Sequence, residues 1–225
     1  YVNGVVGSVT WIPSINLSEG FSPNDYELPN DNADGCYCES CASSGQALLA
    51  WRMARLKGDV ESVDELERTM YNAVMHALSN DGTGNYYGNP IHDHDNPHYN
   101  NWVCCPPTIS RTVLGLGRFV YGFKDNDIFV NLFVGSTCTF NLTNGTVPLT
   151  MATNNYPWDG RITITVTPAT PTRFAMHVRV PGWCRNALLR LNGKLITRPT
   201  IVNRYIVLDR QWSPGDVVVL NLAMT

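Results

Sequence analysis

Ala187-Leu188-Leu189-Arg190-Leu191-Asn192-Gly193-Lys194-Leu195-Ile196 decides how the second half of this chain folds. Asn-Gly between two apolar runs is a strong local signal for a two-residue β-hairpin, because both turn residues must take positive φ. The same character extends in both directions. Strands are expected over residues 128–134, 147–151, 161–167, 174–180, 187–191, 205–208 and 217–222. Several short strands at near-regular spacing indicate an antiparallel β-sandwich, and residues 125–225 are read as that domain.

Residues 1–124 read differently. Residues 1–38 are rich in Gly, Asn, Asp and Pro and show no period, which is loop. Residues 42–57 form a helix in this reading, with Ala47, Leu48, Trp51, Ala54 and Arg55 at i, i+3, i+4 spacing and Gly58 as its stop. Val63, Leu66, Met70, Val74 and Leu78 repeat at helical spacing, with Ser62 as the N-cap, Asp64 and Glu65 in the first turn, and Asn80-Asp81-Gly82 at the end. A third helix is expected over residues 108–121, entered through Pro106-Pro107 and carrying Val113, Leu116 and Val120 on one face. Three helices and a long loop make a poor domain alone. Their apolar faces call for further helices, from a missing N-terminal part or from another chain. The fold class is α+β, multidomain, helical segment first.

The 225 residues are 44% hydrophobic, enough for a core, and carry a net charge of -3. That balance lacks the basic footprint of a nucleic-acid binder. No apolar run approaches the roughly 20 residues of a membrane helix. The chain starts at Tyr1 and reads as a fragment or a processed product, so its compartment stays open.

Seven cysteines are too few for a disulfide scaffold of this length. Cys138 and Cys184 read as small core hydrophobes. Cys104-Cys105-Pro106-Pro107 and Cys36-Tyr37-Cys38-Glu39-Ser40-Cys41 carry chemistry. Cys41, Cys104 and Cys105 offer three thiolates and Glu39 a carboxylate, a set of S and O ligands that suits zinc. The expected helix N-terminus behind Cys104 and Cys105 favours an anion there. Two readings fit: a zinc staple between loops, or a thiolate that reacts. His92-Asp93-His94 with His98 is a weaker metal candidate, and Asp25 and Glu27 are acid/base candidates. Tyr86 and Tyr87 offer stacking surfaces, while Trp158 and Trp183 read as sandwich core or edge. Asn16, Asn141 and Asn144 open glycosylation sequons.

Tyr1-Val-Asn-Gly-Val-Val-Gly-Ser, Glu19-Gly-Phe, Asp25-Tyr-Glu-Leu-Pro-Asn-Asp, Glu39-Ser-Cys-Ala-Ser, Tyr71-Asn and Cys104-Cys-Pro-Pro occur in this order, followed by Tyr156-Pro-Trp, Pro181-Gly-Trp-Cys and Leu191-Asn-Gly. The series resembles glycoside hydrolase family 127, the β-L-arabinofuranosidases, across nearly the whole chain. The resemblance implies the C-terminal part of an (α/α)6 barrel followed by a β-sandwich. It implies zinc held by Glu39, Cys41, Cys104 and Cys105, with Cys104 as nucleophile and Glu19 as acid/base. The implied activity is retaining hydrolysis of arabinofuranosides of plant-type glycans. Cys36 and Cys38, in an insertion before Glu39, are competing ligands. The alternative is a truncated or non-catalytic relative, whose zinc braces the fold and whose sandwich is a binding module.

Overall fold

A computed structural model describes residues 40–86 and 104–224. It divides into two compact units at Leu116–Gly117, with Asp59–Glu61 grouped with the second.

In the first unit, α1 spans Ser40–Lys57, α2 spans Val60–Thr69 and runs on as a π-turn over Met70–Val74, and α3 spans Cys105–Leu114. The π-turn is closed by the Met75 N–H donating to the Met70 carbonyl, five residues back, at 2.8 Å. The α1 stripe differs from the expected one. Leu48 and Arg55 are exposed, and the buried residues are Ser40, Ser43, Ser44, Gln46, Ala47, Ala50 and Ala54. The serines and alanines among them let α3 approach closely, and Cys105, Ile109 and Thr112 are the residues α3 buries. Val63, Leu66, Met70 and Val74 are buried as their spacing requires. Ser62 is not the N-cap of α2, since the helix already begins at Val60. The third helix ends earlier than expected. Gly115 interrupts it, α4 covers only Gly117–Val120, and Tyr121 opens a strand. Among the described residues no helix is long and apolar enough to cross a membrane.

The second unit is a sandwich of two sheets. Its strands are β1 Tyr121–Lys124, β2 Asp127–Val130, β3 Ser136–Leu142, β4 Gly145–Ala152, β5 Arg161–Val166, β6 Thr172–Arg179, β7 Ala187–Leu191, β8 Lys194–Leu195, β9 Thr200–Val202, β10 Tyr205–Trp212 and β11 Asp216–Leu222. One sheet runs β1-β2-β6-β10-β9 and the other β3-β4-β5-β11-β7-β8. Neighbouring strands pair antiparallel except β2 with β6, which run parallel with Phe129 beside His177.

Alternation decides which face is buried. In β5, Ile162, Ile164 and Val166 point inward; in β6, Phe174, Met176 and Val178 meet them from the other sheet. Trp212 closes the core, stacked on Phe174 with its indole N–H donating to the Phe174 carbonyl at 3.1 Å. The Asn192-Gly193 turn forms as expected, with φ of 49° and 80° joining β7 to β8. The turns Asp125-Asn126 and Asn203-Arg204 also have positive φ at both residues. They join β1 to β2 and β9 to β10. Neither contains glycine, so β1 and β9 went unread in the sequence.

Gly160 sits where β5 meets the end of β11. Its carbonyl accepts the Leu222 N–H at 2.9 Å, and a Cβ there would lie 2.0 Å from the Leu222 carbonyl oxygen. The obstacle is backbone and cannot rotate away. Gly160→Ala is expected to cost about 1–3 kcal/mol through displaced packing. The check is a lower denaturation midpoint at unchanged slope.

Candidate metal centre

Two helix starts bring the cysteines together. Cys41 lies in the first turn of α1, Cys104 is the N-cap of α3, and Cys105 opens that helix. Pro106 and Pro107 occupy the first turn of α3, where a backbone N–H has no partner inside the helix, so their missing donors cost nothing. The turn is held by the Thr108 hydroxyl donating to the Cys104 carbonyl at 2.8 Å. Packing of α1 on α3 then closes a gap of 64 positions in sequence.

The Cys41 thiol donates to the Cys105 sulfur at 3.0 Å, and the Cys104 and Cys105 sulfurs are 3.7 Å apart. All three lie within 4.8 Å of one another. Among the described residues no other group of three His, Cys, Asp or Glu converges in this way. Cys105 is buried, Cys41 half-buried and Cys104 exposed. Burial pushes the Cys41 thiol pKa up, and its neighbours Cys105 and Cys104 push it further. Burial raises Cys105 too, against a lowering pull from Cys41 and Ser40. Three sulfurs this close repel as anions. On their own Cys41 and Cys105 stay protonated.

A soft cation reverses that balance. Tetrahedral zinc with bonds of about 2.3 Å places its sulfurs about 3.8 Å apart. The 3.7 Å pair already has that spacing, and the 3.0 Å pair needs to open by less than an ångström. The positive ends of α1 and α3 both meet the sulfurs, which favours thiolates. The three cysteines therefore fit a thiophilic metal ion. Glu39, the carboxylate expected to complete the set, lies outside the described residues, as do Glu19, Asp25, Glu27, Cys36, Cys38, Tyr87, His92, His94 and His98.

Elsewhere the structure separates the candidates. Cys184 is buried, its thiol donating to the Asn186 carbonyl at 3.2 Å, while Cys138 is only half-buried. Trp158 is 80% exposed and so is no core residue; Trp183 is partly exposed. Tyr86 is half-buried, its N–H paired to the Ala77 carbonyl at 2.7 Å. Asn141 and Asn144 flank the β3–β4 turn and are exposed.

Sequence reading missed Ser40 and Ser44. Among the described residues these carry the buried side-chain oxygens without a hydrogen-bond partner. The signal was visible in part, because Ser40 sits between two expected ligands.

Residues 1–118 match the family model described as the GH127 catalytic domain of beta-L-arabinofuranosidase, and residues 127–224 match the GH127 middle domain. The chain is similar to a non-reducing end beta-L-arabinofuranosidase of Bifidobacterium longum subsp. longum, 33% identical over 215 residues, covering 86% of this chain and 30% of that protein. It is similar to the crystal structure of a GH127 beta-L-arabinofuranosidase from Geobacillus stearothermophilus T6, with a TM-score of 0.85 and 33% identity. That match covers 100% of this chain and 36% of the other. A GH127 beta-arabinofuranosidase of known structure aligns at a TM-score of 0.80 and 30% identity, over 90% of this chain and 34% of its own. The chain thus spans about a third of the length of these relatives.

Proposed function

This chain belongs to glycoside hydrolase family 127, and from that premise we propose that it carries the reacting centre of a retaining β-L-arabinofuranosidase. One observation supports this above the others: three sulfurs converge, and they are not equivalent. Cys105 is buried in the start of α3, while Cys104 beside it is exposed. In this reading Cys105 holds a metal and Cys104 meets a substrate.

In this reading residues 1–124 are the C-terminal part of an (α/α)6 barrel, residues 125–225 the sandwich, and the substrate an arabinofuranoside of plant-derived glycans. The remainder of the barrel supplies further sugar-binding groups. Cys41, Cys104, Cys105 and Glu39 would hold zinc. Bound zinc would keep the thiols deprotonated at neutral pH.

The chain's own groups do the rest. The Cys104 sulfur attacks the anomeric carbon; a C–S bond forms as the glycosidic C–O bond breaks. Glu19 gives its proton to the departing oxygen. Water then attacks the same carbon, Glu19 takes up a proton from it, and the C–S bond breaks. Two inversions return the original configuration.

Cys41→Ala tests the ligand set. The full-length protein is expected to contain one zinc per chain, and the variant to lose it on mild dialysis against a chelator. Zinc-free wild-type protein, or full occupancy in the variant, would overturn the ligand assignment.

A further inference from the structure

Trp158 stands 80% exposed on the turn between β4 and β5. Trp212, by contrast, is fully buried, and Trp51 and Trp183 are partly covered. An indole offers roughly 150–250 Å² to bury, so one left in water forgoes a large apolar gain. The turn beneath it is well ordered. The Tyr156 N–H donates to the Thr153 carbonyl at 2.7 Å, and the Asn155 carbonyl accepts the N–H groups of Trp158 and Asp159 at 2.7 and 3.0 Å. The Asp159 carboxylate accepts the Arg161 N–H at 3.0 Å. Before Trp158, the Tyr156 ring packs edge-on against buried Phe133, with centroids 5.4 Å apart. After it, the Gly160 carbonyl holds the Leu222 N–H at 2.9 Å. The backbone is thus fixed on both sides of the indole. Only two side-chain torsions remain to be ordered on binding, which keeps the entropic cost low.

The neighbours on the turn decide what fits. Asn154, Asn155 and Asp159 are all exposed. Each carboxamide offers donors and an acceptor, and the carboxylate accepts. A protein partner would bury several apolar side chains together at the core of its contact. This turn sets one indole among three exposed polar side chains. A sugar ring has the matching make-up. Its faces carry C–H groups, slightly positive, which suit the negative face of an indole. Its rim carries hydroxyls, which suit carboxamides and a carboxylate.

We propose that Trp158 is the platform of a second, non-catalytic glycan-binding site. A sugar ring of a polysaccharide stacks on the indole while Asn154, Asn155 and Asp159 bond its hydroxyls. The site is built wholly from the second unit. It draws on the chain's membership of a glycoside hydrolase family and not on the reacting centre proposed above. Its effect is to hold the protein on a polymeric glycan and raise the local concentration of sugar ends.

The test runs the full-length protein through native gels containing soluble arabinan, with kcat/KM on nitrophenyl β-L-arabinofuranoside measured beside it. The small glycoside reports the reacting centre alone. Trp158→Ala is expected to weaken arabinan binding about tenfold or more. Its thermal midpoint and its kcat/KM on the small glycoside are expected to stay unchanged. Trp158→Tyr, which keeps an aromatic face, is expected to retain most of the binding. Wild-type protein that runs unretarded would overturn the site, whatever its activity on the small glycoside. So would retardation that Trp158→Ala leaves intact. Loss of binding together with a lowered thermal midpoint and a lowered kcat/KM would make Trp158 a packing residue against the rest of the protein, and would overturn the site as well. Binding that follows Trp158 in a protein inactive on the small glycoside would overturn the proposed reaction and support this site.

Discussion

Cys104→Ser is expected to lower kcat/KM on a β-L-arabinofuranoside by roughly 10⁴-fold or more, as removal of a covalent nucleophile does elsewhere. Serine keeps the size and removes the sulfur. Its hydroxyl stays protonated at neutral pH and makes a poor nucleophile without a base at hand. The change is local, because Cys104 is the exposed member of the cluster and the N-cap of α3. Serine is itself a favoured residue at a helix N-cap. The fold, read by circular dichroism, is expected to persist. Cys105→Ser makes the contrast. That sulfur is 1% exposed and faces both Cys41 and Cys104. Its loss is expected to release the metal and lower thermal stability as well as activity. The two variants separate a reacting sulfur from a holding one. If Cys104→Ser retains a tenth of wild-type turnover, the thiolate mechanism fails and the metal becomes a brace.

The second large effect falls on Glu19. A general acid contributes about 10²–10⁴-fold where the leaving group needs its proton. Glu19→Gln is expected to lose that factor on an alkyl or sugar aglycone, whose oxygen departs badly as an anion. It is expected to lose far less on an activated nitrophenyl glycoside, whose oxygen departs without protonation. The pH profile carries a second signature. A group that works protonated loses activity as pH rises through its pKa, so the alkaline fall seen with poor leaving groups is expected to disappear in Glu19→Gln. Equal losses on both substrate classes, with the alkaline limb intact, would assign Glu19 to binding or to support of its segment.

Much of the sandwich was legible locally. Alternation in Arg161–Val166 and Thr172–Arg179 marks which residues face the core, and Asn192-Gly193 marks a turn that glycine makes easy. The unread strands failed for local reasons as well. Asp125-Asn126 and Asn203-Arg204 adopt the same left-handed pair of conformations without glycine. Ser136–Leu142 was overlooked because its polar positions outnumber its buried ones, Phe140 and Leu142. The parallel pairing of β2 with β6 has no local signature at all, since it joins segments separated by three intervening strands.

The candidate site divides along the same line. Residue type and spacing singled out Cys41, Cys104 and Cys105, because thiolates and paired cysteines have few other uses outside disulfides. Their inequality was not in the sequence. Neighbours in the chain, Cys104 and Cys105 differ in exposure because one caps α3 and the other is pressed against α1. Likewise Ser40 is an ordinary serine by sequence. Only the small-residue face of α1 against α3 buries its hydroxyl. Ligand identity is a property of side-chain chemistry, which the sequence states directly. Burial, and the partner each atom is left with, follow from how two helices pack.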